Sequence, residues 1–246
     1  MVTLRNKTAI VTGAGRGIGK AIAHAFGRAG AKVVVTARTT EAVAAVADQI
    51  TQTGSDSVAV TADLAAESDI RHITDSALKA FGSIDILVNN AAFIHPPIDL
   101  VGFETDVWRY VIDVNLTAPA LLIKSVLPNM IKNGTGKIIN ISSIGGRKGA
   151  KGRSAYRAAK AGLISLTESV AAEVKTHGID VNCICPGGVD TEGYREAFKN
   201  RGREDMPSLM LPEEIAELAL FLASGQSTAI TGTAIDAFGT TNPLFG

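Results

Sequence analysis

Tyr156 and Lys160 stand four residues apart in a stretch, Ser154 to Thr176, whose apolar spacing predicts a helix. Both therefore project from one face, about one turn apart. A free phenol titrates at about 10. An ammonium beside it stabilises the phenolate, which makes the tyrosine a usable proton donor and acceptor near neutrality. Such a pair is also a common structural neighbour on a helix, and spacing alone does not separate the two readings. Ser143 lies thirteen residues before Tyr156, just past the C-terminal end of an apolar run, Lys137 to Ile141. Ligands of open α/β sheets bind at such strand ends, so its hydroxyl is placed to hydrogen-bond a reacting carbonyl.

A second cluster follows the first apolar run, Lys7 to Thr12, which reads as a strand: Thr12-Gly13-Ala14-Gly15-Arg16-Gly17-Ile18-Gly19. Glycines between a strand and a helix let the backbone turn tightly and approach a pyrophosphate. The helix N-terminus adds free N–H groups and a partial positive charge. The spacing is TGxxxGxG, not GxGxxG, and a purely structural turn is the alternative. The next strand, Ala31 to Ala37, ends where an adenosine ribose would lie. A carboxylate there favours NAD, and an arginine pairs with the 2′-phosphate of NADP. No acid is present and Arg38 comes next, so NADP(H) is favoured with NAD(H) possible; a solvated surface arginine is the other reading.

These groups require a scaffold of alternating strands and helices. Further strands are expected at Ser57 to Ala62, Ile84 to Asn89, Ile179 to Ile184 and Thr233 to Ala237. Helices are expected at Gly17 to Gly30, Thr40 to Gln52, Glu67 to Phe81, Glu104 to Lys132 and Pro212 to Ala223, the last with proline in its first turn. Seven strands with helical crossovers imply an α/β fold with a mostly parallel sheet covered on both faces. No composition break divides residues 1–246, so one domain is expected.

The order and spacing of TGAGRGIG at 12–19, Asp63-Leu64, Asn89-Asn90-Ala91, Asn115, Ser143, Tyr156-x-x-x-Lys160 and Pro186-Gly187 resemble the short-chain dehydrogenase/reductase family over essentially the whole chain. RSAYRAAKAGLISLTESVAAE and LPEEIAELALFLAS look most like bacterial 3-oxoacyl-carrier-protein reductases and their relatives. The resemblance implies a doubly wound Rossmann-type domain and an NAD(P)(H)-dependent enzyme interconverting a carbonyl and a secondary alcohol. It makes Tyr156 the proton donor or acceptor, Ser143 the group steadying the substrate oxygen, and Lys160 a ligand of the nicotinamide ribose that also lowers the phenol's pKa. Asn115 would join Lys160 to solvent through a water. Pro119, four residues after Asn115, has no N–H, so the Asn115 carbonyl loses its ordinary helical donor; a functionless kink is the alternative.

By the same resemblance, Gly13, Gly15, Arg16, Gly17, Ile18, Gly19 and Arg38 hold the cofactor, together with Tyr156 and Lys160. Asp63 accepts from the adenine amino group, and Leu64 flanks the ring. Asn90 and Ala91 line the adenosine ribose, while Pro186, Gly187, Val189 and Thr191 wrap the nicotinamide end. Residues 192–210 would cover the substrate as a lid. The family also implies a homotetramer or homodimer through the helices at 104–132 and 154–176. Two departures stand out: Ala92 replaces a common glycine, and the last strand ends Asp236-Ala237-Phe238-Gly239 rather than Asp-Gly-Gly.

Arg147, Lys148, Lys151, Arg153 and Arg157 crowd the segment before and into the Tyr156 helix. They are either a solvated basic face or a reception for an anionic or carrier-linked small-molecule substrate. His95 follows the fourth strand and is either near the substrate or incidental; Trp108, Tyr110, Tyr194, Phe198, Met206 and Met210 read as packing or lid residues. Lys plus Arg and Asp plus Glu number 24 each, which argues against a nucleic-acid-coating protein. Cys183 and Cys185, the only cysteines, are too few for a disulfide framework and lack a nearby histidine for zinc. They read as small buried hydrophobes, and no metal is expected. The start, MVTLRNKTAIV, lacks a secretory pattern, and no run of about 18 apolar residues occurs, so a cytoplasmic protein without a membrane span is expected. The alternatives are an NAD-dependent sugar or polyol dehydrogenase and, from a different class, a non-catalytic dinucleotide sensor.

Overall fold

The computed structural model describes residues 2–197 and 209–239. The chain runs β1 (Thr8–Thr12), α1 (Gly17–Arg28), β2 (Lys32–Ala37), α2 (Thr40–Gln52), β3 (Ser57–Thr61), α3 (Glu67–Phe81) and β4 (Ile86–Asn89). It continues through α4 (Thr105–Ile112), α5 (Ala118–Asn133), β5 (Gly136–Ile141), α6 (Ser154–Val174), β6 (Ile179–Pro186), α7 (Glu192–Ala197), α8 (Pro212–Ala223) and β7 (Ala234–Ala237). All neighbouring strands are parallel, in the order β3-β2-β1-β4-β5-β6-β7.

Burial on both faces explains why the inner strands β1, β2, β4, β5 and β6 read as near-continuous apolar runs, whereas the edge strands β3 and β7 are only partly buried. Side chains alternate along a strand, so Ala9 and Val11 of β1 pack with α1, α2 and α8, whereas Ile10 between them packs with α3, α5 and α6. Val33 and Val35 of β2 share the first layer and Val34 the second. The chain leaves β1 toward β2 and β3, then returns to build β4 on the other side. That reversal opens a crevice beyond the ends of β1 and β4, where such sheets bind ligands.

The expected helix from Glu104 to Lys132 is not one regular element. Residues Asp113–Thr117 form a π-helical turn between α4 and α5, with the Ala118 N–H bonding to the Asp113 carbonyl. Proline at 119 neither supplies a donor to the Asn115 carbonyl nor tolerates it close by, and a widened turn relieves both problems. The whole stretch Thr105–Asn133 is, at 29 residues, long and apolar enough by length and composition to cross a bilayer, although it contains no unbroken run of about 18 apolar residues. Here it packs against the sheet, with Val111, Val114, Leu122, Ile123, Val126 and Met130 buried.

Candidate active site

Thr12 ties the crevice together. Its hydroxyl donates to the Val88 carbonyl (3.2 Å) and accepts from the backbone N–H groups of Asn90 and Ala91 (both 3.0 Å). The Asn90 amide donates to the carbonyls of Thr12 (2.8 Å) and Gly13 (3.3 Å). Asn90 thus clamps the glycine turn as well as bordering the expected ribose site. Gly13 and Gly17 have positive φ, 63° and 53°, which favours glycine. At Gly19 a Cβ would lie 2.3 Å from the Gly13 carbonyl oxygen and 2.4 Å from Asn90 Nδ2, so only glycine fits. Among the described residues, the α1 N-terminus has no side-chain cap and no acid in its first turn, leaving its N–H groups and dipole to an anion. A dinucleotide pyrophosphate fits this bare cradle. Ala92 takes no positive φ, so the turn after β4 accommodates it without strain.

Ser143 follows β5 in extended conformation, and its Oγ accepts from the Gly145 N–H (3.0 Å). Tyr156, in the first turn of α6, and Ser143 Oγ both lie beside Gly145, and the Ser143 hydroxyl favours the ionised phenol. Lys160, one turn on, is 2% exposed and gives its Nζ–H to the Ile141 carbonyl (2.8 Å). Ser142, absent from the sequence-derived set, donates from Oγ to the Lys160 carbonyl (2.8 Å) and pins α6 to the end of β5.

The electrostatics differ from the expectation that Lys160 lowers the phenol's pKa. Burial pushes Tyr156 above its ordinary 10, and the Ser143 hydrogen bond and the charges of Arg153 and Arg157 pull only partly the other way. Lys160 Nζ lies over the ring face, 5.8 Å from the centroid. Burial brings Lys160 itself down to about 8, so it exchanges protons near neutrality.

Asn115 sits fully buried in the π turn, its Nδ2 donating to the carbonyls of Phe93 and Val111 (both 2.9 Å). Its Oδ1 is buried without a partner among the described residues. Val189 forms a bridge with Met210 through the neighbouring groups, Met210 N–H to Gly188 carbonyl and Asp190 N–H to Met210 carbonyl, so the bridge does not use Val189's own backbone groups. Thr191 caps α7 by accepting from the Tyr194 N–H (3.0 Å), and its methyl faces Gly17. Asp63 Oδ1 accepts from the Ala65 N–H (3.0 Å), and Leu64 is buried. Ile18 packs against the α1 side of the core, Gly15 lies beside Ala37 and Ala42, and Gly187 beside Phe238 after the buried Pro186. Arg16 reaches from the glycine loop to Glu196 in a two-pronged pair (2.9 and 3.1 Å). Of the proposed lid, Glu192–Ala197 is helical; residues 198–208, including Phe198 and Met206, lie outside the described residues.

The basic side chains near Tyr156 are engaged with the protein, Lys151 with Asp99 at 3.8 Å among them. Arg147 pairs with Asp236 (2.8 Å) and donates to the Ala234 carbonyl (2.7 Å), both in β7, while Phe238 at the departure lies beside Gly187. Arg153 is buried and donates to the carbonyls of His95 and Ala197, and Arg157 donates to the Lys148 carbonyl. His95 is fully buried, with Nδ1 against the Pro96 carbonyl (2.6 Å). Cys183 and Cys185 are free and buried beside Ile164. Among the described residues, no three His, Cys, Asp or Glu side chains gather to hold a metal.

A seven-stranded parallel sheet with an uncapped glycine cradle at its reversal point, next to a Ser–Tyr–Lys group, defines a dinucleotide-dependent oxidoreductase of the Rossmann type. The chain belongs to the short-chain dehydrogenase family, whose model matches residues 7–202. It is accordingly an NAD(P)-dependent enzyme acting on a carbonyl or CH–OH group. It is 37% identical to a 3-oxoacyl-[acyl-carrier-protein] reductase of Synechocystis sp., over 97% of this chain and 98% of that protein. A 3-ketoacyl-(acyl-carrier-protein) reductase from Brucella melitensis, solved with NADH, superposes with a TM-score of 0.90 at 33% identity, covering 97% of this chain and 99% of the other. A protein from Beutenbergia cavernae assigned as an NAD(P)-dependent gluconate 5-dehydrogenase, solved with NADP at low occupancy, gives 0.88 at 36% identity over 95% and 96%.

Proposed function

We propose that this enzyme is an NADPH-favouring reductase of a 3-oxoacyl thioester or related ketone, built as one domain over residues 1–246. The observation carrying the reaction is the convergence of Ser143, Tyr156 and Lys160 at the end of β5, beside the cradle at the end of β1. A bound nicotinamide dinucleotide would supply or accept the hydride. In reduction, Tyr156 gives its phenolic proton to the substrate oxygen while Ser143 donates a hydrogen bond to the same oxygen. Lys160, at about 8, returns a proton toward Tyr156, and Asn115, buried in the π turn, orients the route from solvent. The residues holding the cofactor are those of the glycine loop, Arg38, Asp63, Leu64, Asn90, Ala91, Pro186, Gly187, Val189 and Thr191.

The substrate class follows the 3-oxoacyl-carrier-protein reductases among the relatives. A second reading, oxidation of a sugar acid or polyol, is favoured by the likeness to the gluconate 5-dehydrogenase and by the engagement of Arg147 and Arg153 with protein groups rather than a free anion site. By the family resemblance the enzyme assembles as a homodimer or homotetramer through the helices at 104–132 and 154–176 and works in the cytoplasm, and sizing chromatography tests the assembly. Nicotinamide absorbance with acetoacetyl thioesters, sugar acids and steroids, using NADPH and NADH in parallel, tests the reading; faster turnover of the thioester with NADPH is expected. Tyr156→Phe should cut kcat about a thousandfold. Undiminished turnover would remove Tyr156 from the mechanism, and turnover only of sugar acids would favour the second reading.

A further inference from the structure

Arg38 follows β2, and α4 follows β4, so the two stand on opposite sides of β1. They nevertheless meet: Arg38 Nη1 donates to the Tyr110 hydroxyl at 2.8 Å. Tyr110 does not belong to the expected cofactor set. Its ring stands edge-on to Phe93, with centroids 5.0 Å apart and planes at 77°. Phe93 is held in turn by its carbonyl, which accepts from the buried Asn115 amide at 2.9 Å. A supported, half-buried phenol thus receives one prong of an otherwise exposed guanidinium.

We propose that Tyr110 is the second half of the receptor for the ribose 2′-phosphate, a specificity-determining residue beside Arg38. This rests on the NADP(H) reading above. A free arginine side chain samples many rotamers, and fixing it before the ligand arrives lowers the cost of binding. The contact consumes one lone pair of the Tyr110 oxygen and leaves its O–H proton available. A phosphate there meets a full positive charge, the remaining guanidinium N–H donors and a hydroxyl donor together. A ribose 2′-hydroxyl brings no negative charge to that pair and gains far less. The discrimination comes from a residue 72 positions from Arg38 in sequence.

Calorimetric titration with adenosine 2′,5′-bisphosphate and adenosine 5′-monophosphate tests the proposal without involving the nicotinamide end. The variants are wild type, Arg38→Ala and Tyr110→Phe, the last keeping the ring against Phe93. The wild type should prefer the bisphosphate, and Tyr110→Phe should weaken that probe about tenfold, as expected for one hydrogen bond to a charged group. The monophosphate affinity should stay within about twofold, because the other contacts are unchanged. If the wild type prefers the bisphosphate and Tyr110→Phe keeps that preference, or weakens both probes equally, Tyr110 is no part of the receptor and the NADP(H) reading stands. If the wild type shows no preference, both fall.

Discussion

Lys160 Nζ hydrogen-bonds the Ile141 carbonyl at 2.8 Å while lying 5.8 Å from the centre of the Tyr156 ring. The ammonium is anchored to the end of β5 and meets the ring's face. Its position is therefore set by the sheet, and its charge is taxed by burial.

That burial makes stability depend on pH in a definable window. Lys160 is brought down from an ordinary 10.5 to about 8, so between those values the unfolded chain binds more protons than the folded one. Stability contributed by this site rises with pH across that window. Tyr156 moves the opposite way, above 10, and opposes the trend only beyond that point. Urea unfolding at pH 8 and pH 10 should show the wild type gaining about 2 kcal/mol relative to Lys160→Met. Parallel pH slopes for the two proteins would contradict a depressed Lys160.

Gly19 has no room for a methyl group. Its Cβ would sit 2.3 Å from the Gly13 carbonyl oxygen, while Gly225, with ordinary backbone angles, has open space. Gly19→Ala should displace the clamp made by Asn90 and weaken dinucleotide binding at least tenfold by fluorescence titration, with about 2 kcal/mol lost from overpacking. Gly225→Ala should change neither quantity measurably. Equal behaviour of the two variants would mean that the glycine turn tolerates displacement.

A buried polar chain crosses the second layer: Asn89 Nδ2 donates to Asn140 Oδ1, and Asn140 Nδ2 donates to Thr167 Oγ1, each at 2.9 Å. It fastens β4 and β5 to α6, the helix that carries Tyr156. Asn140→Ala leaves the Asn89 Nδ2 group without its acceptor inside the core, while Thr167 Oγ1 keeps its bond to the Leu163 carbonyl, and should cost about 1–3 kcal/mol in urea unfolding. A loss below about 0.5 kcal/mol would mean that the neighbours re-pair or that water enters.

Arg153 joins two substrate-side segments by donating to the carbonyls of His95 and Ala197. Those acceptors are uncharged parts of the protein. Arg153→Ala should raise KM severalfold for neutral and anionic substrates alike and lower Tm by several degrees. A KM increase confined to anionic substrates would instead assign Arg153 to reading substrate charge.

Much of the scaffold is written locally. α2 (Thr40–Gln52), α3 (Glu67–Phe81) and α8 (Pro212–Ala223) lie where periodicity and Pro212 place them, because those signals act within a few residues. The strand runs and the glycine turn were equally legible, since burial on both faces leaves an apolar record and a tight turn demands glycine. The π turn at Asp113–Thr117 was half legible: Pro119 announced a broken bond but not how the helix would absorb it.

Sequence alone thus determined the alternation of elements, the motif order and which side chains carry chemistry. Tertiary structure decided what those side chains touch: Arg38 on Tyr110, Arg153 on His95 and Ala197, Asn90 over the glycine turn. It also reversed the expected direction of the Tyr156 shift, because desolvation depends on everything packed around a group, whereas spacing records only its neighbours along the chain.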